Sequence, residues 1–392
     1  MKTLKRTWAD ISLDNLEYNY RSIRAHLPQG TKFLGVMKAD AYGHGAVPVS
    51  RALADLGAEY LAVSNLEEAV QIRRGEVRLP ILILGYTPAE YAANMIFLDI
   101  TQEVHSLEYA RELNEALAGT NYILNVHLKL DTGMTRIGFF AYDNERTLDE
   151  LRQVAQLPHL HIEGVFMHFC VADSRAEADV SFTKLQYKRF MDMLSAMAGV
   201  GIRPEIRHCC NSGATILYPE FALDMVRPGI ITYGNAPSEE LEGALSLRPM
   251  MSLHSMIAQV RTVPAGTDIS YGRLYRTKEE TRVAVLPIGY ADGLSRLLTG
   301  KASFYLQGHQ VPVIGRICMD MCMIDVSNVP EAKPGDVVTI FGYDDDGTLL
   351  PCERLARAQG TINYELLCQI SKRIPRICHR GAETSQILQY IV

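Results

Sequence analysis

The chain has 392 residues, 47% of them hydrophobic and 21% charged, and a formal net charge of −6 at pH 7. This length favours two domains, and the composition is typical of a globular enzyme. A negative net charge without a long basic run argues against a nucleic-acid surface, and no apolar stretch approaches the length of a membrane span.

The first residues and the cysteines indicate the compartment. The N-terminal segment reaches an acidic residue at Asp10 and lacks the apolar core of a signal peptide. Among the eight cysteines, Cys209 and Cys210 are adjacent and Cys318 and Cys322 are four apart. Neither spacing suggests a disulfide framework or a zinc site. We therefore expect a cytoplasmic protein without a metal site.

Between residues 33 and 231, strand-like segments alternate with amphipathic helical stretches. The predicted strands are 33–38, 60–64, 81–86, 96–101, 125–131, 162–169, 205–210 and 225–231. The predicted helices include 47–56, 65–74, 107–117, 143–156 and 182–198. Eight such units favour an α/β fold of the (β/α)8 barrel type over an open doubly wound sheet. No glycine-rich dinucleotide or P-loop motif follows the first strand.

After about residue 245 the pattern changes to strands separated by turn residues. The predicted strands are 253–263, 281–288, 303–306, 311–313, 322–326 and 337–341. We therefore predict a TIM-like barrel over residues 1–245, followed by a mainly β domain over residues 246–392. Residues 7–12 also look like a strand, so residues 1–12 are candidates for pairing with the β domain.

Lys38 follows the first predicted barrel strand and leads into a glycine-rich turn. Burial of a free ammonium is costly, but a lysine that forms a Schiff base with an aldehyde cofactor avoids that cost. The alternative is a strand-end lysine that extends its amine into water. The sequence of this segment alone favours neither interpretation.

Other polar residues follow the later barrel strands, and a barrel gathers its chemistry at that rim. These residues are Arg136, His168, Ser212 and Gly229, together with the run Arg227-Pro-Gly-Ile-Ile-Thr-Tyr-Gly. Each has a simpler interpretation: Arg136 as a surface ion-pair partner, His168 as a core histidine, and Ser212 and Gly229 as turn residues. Their coincidence at one rim beside a lysine favours a functional site.

Several longer motifs resemble those of the bacterial alanine racemases, which are pyridoxal-phosphate enzymes of fold type III. The likeness runs from Trp8 to about Arg376. The motifs are Val36-Met-Lys-Ala-Asp-Ala-Tyr-Gly-His-Gly-Ala, Lys129-Leu-Asp-Thr-Gly-Met-Thr-Arg-Ile-Gly, Met225-Val-Arg-Pro-Gly-Ile-Ile-Thr-Tyr-Gly, Gly266-Thr-Asp-Ile-Ser-Tyr-Gly, Pro287-Ile-Gly-Tyr-Ala-Asp-Gly-Leu, Gly315-Arg-Ile-Cys-Met-Asp and Ile362-Asn-Tyr-Glu. The resemblance implies a barrel plus a β domain, a homodimer with shared active sites, and a supply of D-alanine for peptidoglycan precursors.

The resemblance also implies roles for individual residues. Lys38 would hold pyridoxal 5'-phosphate covalently, and Tyr271 of the partner subunit would be the second acid/base. The remaining implied cofactor ligands are Tyr42, Ser212, Gly229, Ile230 and Tyr364 at the phosphate, Arg136 at the phenolic oxygen and Arg227 at the pyridine nitrogen. Arg136, Tyr271 and the partner's Met319 would bind the substrate. In some relatives the lysine that matches Lys129 is carbamylated, and its state here is open.

Racemisation at an amino-acid Cα requires an electron sink and one base on each face of the planar carbanion, a role that suits Lys38 and Tyr271. We expect a hydrogen-bonded pair, His168 and Arg227, to stabilise the phenolate of Tyr271. The resulting hypothesis is a two-base interconversion of L-alanine and D-alanine.

Three alternatives share parts of this pattern. A serine or broad-specificity racemase would carry every motif, because one hydroxyl is a small difference for a pocket to impose. A non-catalytic pyridoxal-phosphate carrier would lack the β domain and Tyr271. A pyridoxal-phosphate amino-acid decarboxylase would show a cysteine–aspartate substrate motif, of which only the nearby Cys318 and Asp320 are reminiscent.

Overall fold

The structure, a computed structural model, describes residues 6–142 and 144–391. It divides into two units. The barrel unit comprises Leu16–Ala41 and Ala46–Arg248, and the β unit comprises the residues up to Asn15, Tyr42–Gly45 and the residues from Pro249 onward.

The strands of the described residues lie in chain order as follows. They are β1 (Thr7–Ser12), β2 (Lys32–Val36), β3 (Tyr60–Val63), β4 (Ile81–Ile83), β5 (Ile100–Val104), β6 (Leu124–Asp131), β7 (Phe139–Phe140), β8 (Leu160–Phe166), β9 (Ile206–His208), β10 (Met225–Val226), β11 (Met251–Met256), β12 (Gln259–Val263), β13 (Asp268–Ile269), β14 (Tyr275–Arg276), β15 (Thr281–Leu286), β16 (Ser303–Leu306), β17 (His309–Pro312), β18 (Cys322–Asp325), β19 (Val337–Tyr343), β20 (Leu349–Leu350), β21 (Arg376–Arg380) and β22 (Glu383–Leu388).

The helices of the same residues are α1 (Leu13–His26), α2 (Lys38–Tyr42), α3 (Ala46–Leu56), α4 (Leu66–Arg74), α5 (Ala92–Phe97), α6 (Leu107–Ala116), α7 (Asn144–Ala155), α8 (Glu177–Gly199), α9 (Ser212–Leu217), α10 (Cys352–Gln359) and α11 (Asn363–Gln369). The predicted helix 143–156 corresponds to α7, and its first residue, Asp143, lies outside the described residues.

A closed parallel barrel forms the centre of the barrel unit. Within the described chain, eight strands pair in the order β5-β4-β3-β2-β10-β9-β8-β6, and β5 pairs with β6 to close the ring. The short strand β7 adds to β6. Because helices cover the outside, strands such as Tyr60–Val63 and Ile81–Ile83 are buried along their whole length. The predicted fold class, a barrel followed by a mainly β domain, is confirmed.

Several predicted barrel strands extend beyond the observed ones, and the predictions 96–101 and 225–231 differ most. Residues 96–101 begin in α5, because the apolar run through Phe97 forms the end of a helix, and β5 starts only at Ile100 after Asp99 adopts a left-handed φ of 51°. Residues 225–231 form only the short strand β10. The chain then passes through Pro228, which has no N–H to donate, into the 3-10 turn Ile230–Tyr233.

The β unit contains three sheets in its described residues. The largest has the order β17-β16-β19-β11-β1-β21-β22, with β20 paired to β19, and the smaller two are β12-β15-β18 and β13-β14. Strand β1 runs antiparallel to β11 and parallel to β21. The prediction of a single strand over 253–263 is wrong. The strand is interrupted at Ile257 and Ala258, and the two resulting strands, β11 and β12, join different sheets.

The segment after β2 has an unusual backbone. In α2, Ala39, Asp40, Ala41 and Tyr42 have φ values of 53°, 54°, 56° and 52°, so this turn is left-handed. The predicted strand 33–38 therefore ends early, at Val36, and Lys38 begins the turn. A left-handed turn costs an L-residue about 1–2 kcal/mol, so the surrounding contacts must offset this cost.

None of the helices in the described part of the chain combines the length and the apolar character that crossing a membrane requires.

Candidate active site

Arg227 is the central cation at the mouth of the barrel. Its side chain is 3% exposed. The guanidinium donates from Nη1 to His208 Nδ1 at 2.9 Å and from Nη2 to the carbonyl oxygens of Met167 and Cys209 at 2.7 and 3.1 Å. Burial lowers the pKa of Arg227 to about 10, so the side chain stays charged at neutral pH. These bonds hold the plane of the guanidinium in one orientation.

His168 accepts a longer hydrogen bond from the same guanidinium, with Arg227 Nη2 and His168 Nδ1 3.3 Å apart, and shares an N–H of Nη2 with one of the two carbonyl oxygens. Burial, and then the positive charges of Arg227, Lys129, Arg136 and Lys38, hold the pKa of His168 well below its ordinary value. The imidazole is therefore neutral, and because Nδ1 accepts, its proton resides on Nε2. The low pKa of His168 therefore indicates that several basic side chains surround it at the carboxyl ends of the barrel strands.

Lys129, on strand β6, is a further basic side chain of this rim. Its amine is buried, donates to the carbonyl of Leu130 at 3.0 Å and lies 5.3 Å from the centre of the Phe166 ring. Burial, and then the charges of Arg227 and Arg136, lower its pKa to about 7. A substantial share of Lys129 is therefore uncharged at neutral pH.

Ser212 and Gly229 meet directly. Asn211 caps α9 by accepting the N–H of Ala214 at 3.0 Å, and this places Ser212 at the first position of the helix. The backbone N–H of Gly229 donates to Ser212 Oγ at 2.9 Å, and Ile230 follows at the start of the 3-10 turn. A hydroxyl and neighbouring main-chain N–H groups are suited to an anion such as phosphate.

Lys38 and Arg136 are more exposed than the groups just described. Lys38 follows the buried Met37, and Arg136 lies in the loop between β6 and β7. That loop is ordered by Asp131, whose Oδ1 accepts the N–H groups of Gly133 and Thr135 at 2.9 and 3.0 Å. The loop therefore presents Arg136 from a defined turn.

The remaining predicted site residues belong to the β unit. The rings of Tyr42 and Tyr364 are 6.0 Å apart, and burial raises the pKa of Tyr42. Tyr271 is 71% exposed and lines a cavity of about 430 Å³ together with Ser270, whereas Met319 is 53% exposed. The placement of these four residues around Lys38 stays a prediction.

Comparison with known protein families assigns the chain to one of them. The family models for the alanine racemase N-terminal domain and C-terminal domain match residues 11–237 and 250–378. The chain belongs to the alanine racemase family. Its relatives in this family are isomerases, and the barrel followed by a β domain is the family's architecture.

Relatives match over nearly the full length of the chain. The alanine racemase of Desulfovibrio desulfuricans is 46% identical over 94% of this chain and 97% of its own length. Among solved structures, an alanine racemase of Clostridium difficile has a TM-score of 0.93 at 40% identity and covers 100% of both chains. An alanine racemase of Bacillus anthracis with bound L-Ala-P has a TM-score of 0.92 at 34% identity, with 100% of this chain and 99% of that chain covered.

Three polar residues of the barrel were missed as site residues in the sequence, two of them fully buried and one half-buried. They are His127, Glu163 and His208, which connect to Arg227 inside the barrel. The alternation of side chains along a strand could have pointed to His127, because His127 and Lys129 lie two residues apart and share one face of β6. His208 lies in the predicted strand 205–210, but nothing in the sequence shows that the three residues touch.

Proposed function

We propose that this chain interconverts L-alanine and D-alanine with pyridoxal 5'-phosphate as its cofactor. The observation that carries the proposal is the set of basic side chains at the carboxyl ends of the barrel strands, where Lys38 and Arg136 follow β2 and β6 and where His168 and His208 accept hydrogen bonds from the buried guanidinium of Arg227. Pyridoxal phosphate is an anion with an aldehyde, so it fits a site that offers an amine and an excess of cations. The hydroxyl of Ser212, whose oxygen accepts the Gly229 N–H, would form part of a phosphate cradle by donating its proton to a phosphate oxygen.

The side chains of the site would bind and orient the cofactor. When bound, the cofactor supplies the electron sink that makes the substrate Cα–H acidic. Lys38 would carry the cofactor, and the further ligands of the cofactor would be Tyr42, Arg136, His168, Ser212, Arg227, Gly229, Ile230 and Tyr364. Arg227 would lie at the pyridine nitrogen, where its fixed charge keeps that nitrogen unprotonated.

Inversion at Cα needs two bases. Lys38 Nζ would act on one face and the Tyr271 hydroxyl of the partner subunit on the other. In one direction one base takes the Cα proton and the other returns a proton to the opposite face. One turnover thus leaves one group with an extra proton and the other without its own, and a turnover in the reverse direction or proton exchange with water restores both. The neutral His168, with its proton on Nε2, and the adjacent Arg227 would stabilise the phenolate form of Tyr271.

Substrate would be held by Arg136 and Tyr271, with Met319 of the partner subunit at its carboxylate. A homodimer with shared sites and a role in supplying D-alanine to peptidoglycan precursors in the cytoplasm complete the proposal. Support for these points comes from the family assignment and from relatives that carry the name alanine racemase.

A borohydride experiment tests the cofactor assignment. The protein incubated with pyridoxal phosphate should acquire a visible absorbance band that borohydride abolishes, and peptide mapping should find the added mass on Lys38. Lys38→Ala should show no such mass, whereas Lys32→Ala, which removes an exposed lysine at the other end of β2, should retain it. Absence of the band would contradict the cofactor assignment.

Loss of optical rotation then tests the substrate. L-alanine should lose rotation faster than L-serine. If L-serine were the faster substrate, the proposal for alanine would be wrong and the serine racemase alternative would replace it.

A further inference from the structure

The backbone on both sides of Lys38 is bonded to neighbouring elements of the barrel unit. Before Lys38, the N–H of Met37 donates to the carbonyl oxygen of Ala62 in β3 at 2.7 Å. After Lys38, the N–H of Ala39 donates to Glu68 Oε1, also at 2.7 Å. The backbone that carries the Lys38 side chain is therefore fixed from two directions, and in one of them the acceptor is a side chain.

The left-handed turn of α2 needs an acceptor from outside the turn at its start. The first N–H groups of a helical turn have no carbonyl partner within that turn. Ala39 is the first residue of α2 with a left-handed φ, and the carbonyl oxygen of Met37 accepts the N–H of Ala41 at 2.8 Å. Because L-residues oppose a left-handed turn, an outside contact such as the bond from Ala39 helps to hold it.

Glu68 lies in the first turn of α4, three residues after the cap of that helix. Asn65 caps α4 by accepting the N–H of Glu68 at 3.0 Å. The second oxygen of the carboxylate, Glu68 Oε2, accepts the N–H of Ser64 at 2.8 Å. Ala69 and Ile72 of the same helix are buried, so α4 is packed on the barrel and holds the carboxylate in place.

The two oxygens of Glu68 bind different segments of the chain. The bond from Ser64 resembles a capping box, in which a glutamate of the first turn accepts an N–H at the start of its own helix. Such capping uses one oxygen only. The other oxygen binds Ala39, which lies 29 positions earlier in the chain and contributes nothing to the cap of α4. Capping alone therefore does not explain the bond to Ala39.

We propose that Glu68 is a positioning residue that holds the turn after β2 in its left-handed form, and so fixes the point at which the Lys38 side chain leaves the backbone. Glu68 acts through the N–H of Ala39 and touches no reacting atom. A carboxylate accepts such a bond more strongly than a neutral group does. The consequence for catalysis rests on the proposed function, in which Lys38 carries the cofactor and is one of the two bases.

Amide hydrogen exchange of the full-length protein tests the contact without cofactor or substrate. In Glu68→Ala, the Ala39 amide loses its acceptor and should exchange at least tenfold faster than in the wild type, since a hydrogen bond to a charged group is worth about that factor or more. An unchanged exchange rate at Ala39 in folded Glu68→Ala would overturn the proposal.

Glu68→Gln keeps the size of the side chain but offers one acceptor oxygen for two N–H groups. The exchange rates of Ala39 and Ser64 should therefore not both stay at their wild-type values in this variant. Wild-type rates at both positions would count against the proposal.

Two matched variants separate the contact with Ala39 from the other roles of Glu68. Glu67→Ala removes an exposed carboxylate from the same first turn of α4, so it makes an equal change of charge near the helix N-terminus. Asn65→Ala removes the cap and should lower the free energy of unfolding, but it leaves the acceptor of Ala39 in place. Both variants should exchange the Ala39 amide at the wild-type rate. If Asn65→Ala accelerated this exchange as much as Glu68→Ala, the cap of α4 would set the turn and the proposal would be wrong.

Kinetics with alanine measure the consequence for Lys38. Glu68→Ala should lower kcat about tenfold and leave KM nearly unchanged, because a displaced base slows proton transfer while the residues proposed to bind the substrate stay in place. Glu67→Ala and Asn65→Ala should retain kcat. An unchanged kcat in Glu68→Ala would overturn the positioning role. If the wild type itself fails to racemise alanine, the proposed function fails, whereas the exchange result on the turn stands separately.

Discussion

Lys129 shows how a single buried amine couples stability to pH. Its folded pKa of about 7 lies below the ordinary 10.5. Below about pH 7 the amine is charged in both states. Between these two values the unfolded chain binds a proton that the folded chain does not, so the free energy of unfolding rises with pH in this window.

Lys129→Met should remove that dependence. We expect the stability of the wild type relative to the variant to rise by about 2 kcal/mol between about pH 7 and about pH 9, since one pKa unit is worth about 1.4 kcal/mol. Urea unfolding at both pH values measures the difference. Lys188→Met, at an exposed position of α8, is the control and should show no such change. Equal pH dependence in both variants would contradict the low pKa of Lys129.

The residues also show how much of the site the sequence predicts. Motif spacing was enough to single out Lys38, Arg136, His168, Ser212 and Gly229, because each follows a barrel strand. The hydrogen bonds that link Glu163, His127, His208 and Arg227 were not predicted, since these residues lie on β8, β6 and β9 and directly after β10. Their contacts depend on barrel closure, which brings distant strands side by side.

At the scale of elements, short α9 depends on its cap to hold Ser212. Asn211 accepts the N–H of Ala214 and also donates to the carbonyl of Phe169 at 3.2 Å. Since a helix of six residues has little stability of its own, the cap carries much of the local order.

Asn211→Ala should lower the free energy of unfolding by about 1 kcal/mol and weaken pyridoxal phosphate binding. Ser106→Ala removes an equivalent cap, from α6, and should cost a similar amount of stability while cofactor affinity stays unchanged. Denaturant unfolding and fluorescence titration with the cofactor provide the two readouts. If both variants bind the cofactor equally, the cap of α9 does not order the phosphate cradle.

The sequence predicts helices such as α4 and α6 well, because a helical period of apolar residues extends over nine or more positions there. The prediction is poor where a short apolar run fits both a helix and a strand. The run that ends at Phe97 satisfies a strand pattern, but it forms the last turn of α5. Short apolar segments have no period long enough to separate the two states, so tertiary packing decides between them.

At the scale of the whole molecule, the β unit exposes several large apolar side chains. Tyr271, Leu274, Met319, Met321 and Ile362 are between 50% and 71% exposed. Phe97 and Ile123 of the barrel unit are exposed to a similar extent, so exposure alone does not mark an interface. The proposed homodimer, in which the β domain of one subunit completes the site of the other, would bury Tyr271 and Met319.

Mixed dimers test the shared site. A dimer with Lys38→Ala in one subunit and Tyr271→Phe in the other should retain one native site, because Lys38 and Tyr271 of opposite subunits still meet. A dimer with both substitutions in one subunit and none in the other should be inactive, since each of its sites has one defect. The racemisation rate of the two purified species decides the matter, and the reverse pattern would place both bases in the same subunit.

The left-handed turn of α2 has a consequence for which substitutions this segment tolerates. Ala39, Asp40, Ala41 and Tyr42 all have positive φ, a conformation that β-branched side chains oppose most strongly. A saturation library over these four positions, selected for folded protein alone, should retain glycine and asparagine and lose valine, isoleucine and threonine. The backbone would thus restrict the genetic variation available beside Lys38, whatever chemistry the lysine performs.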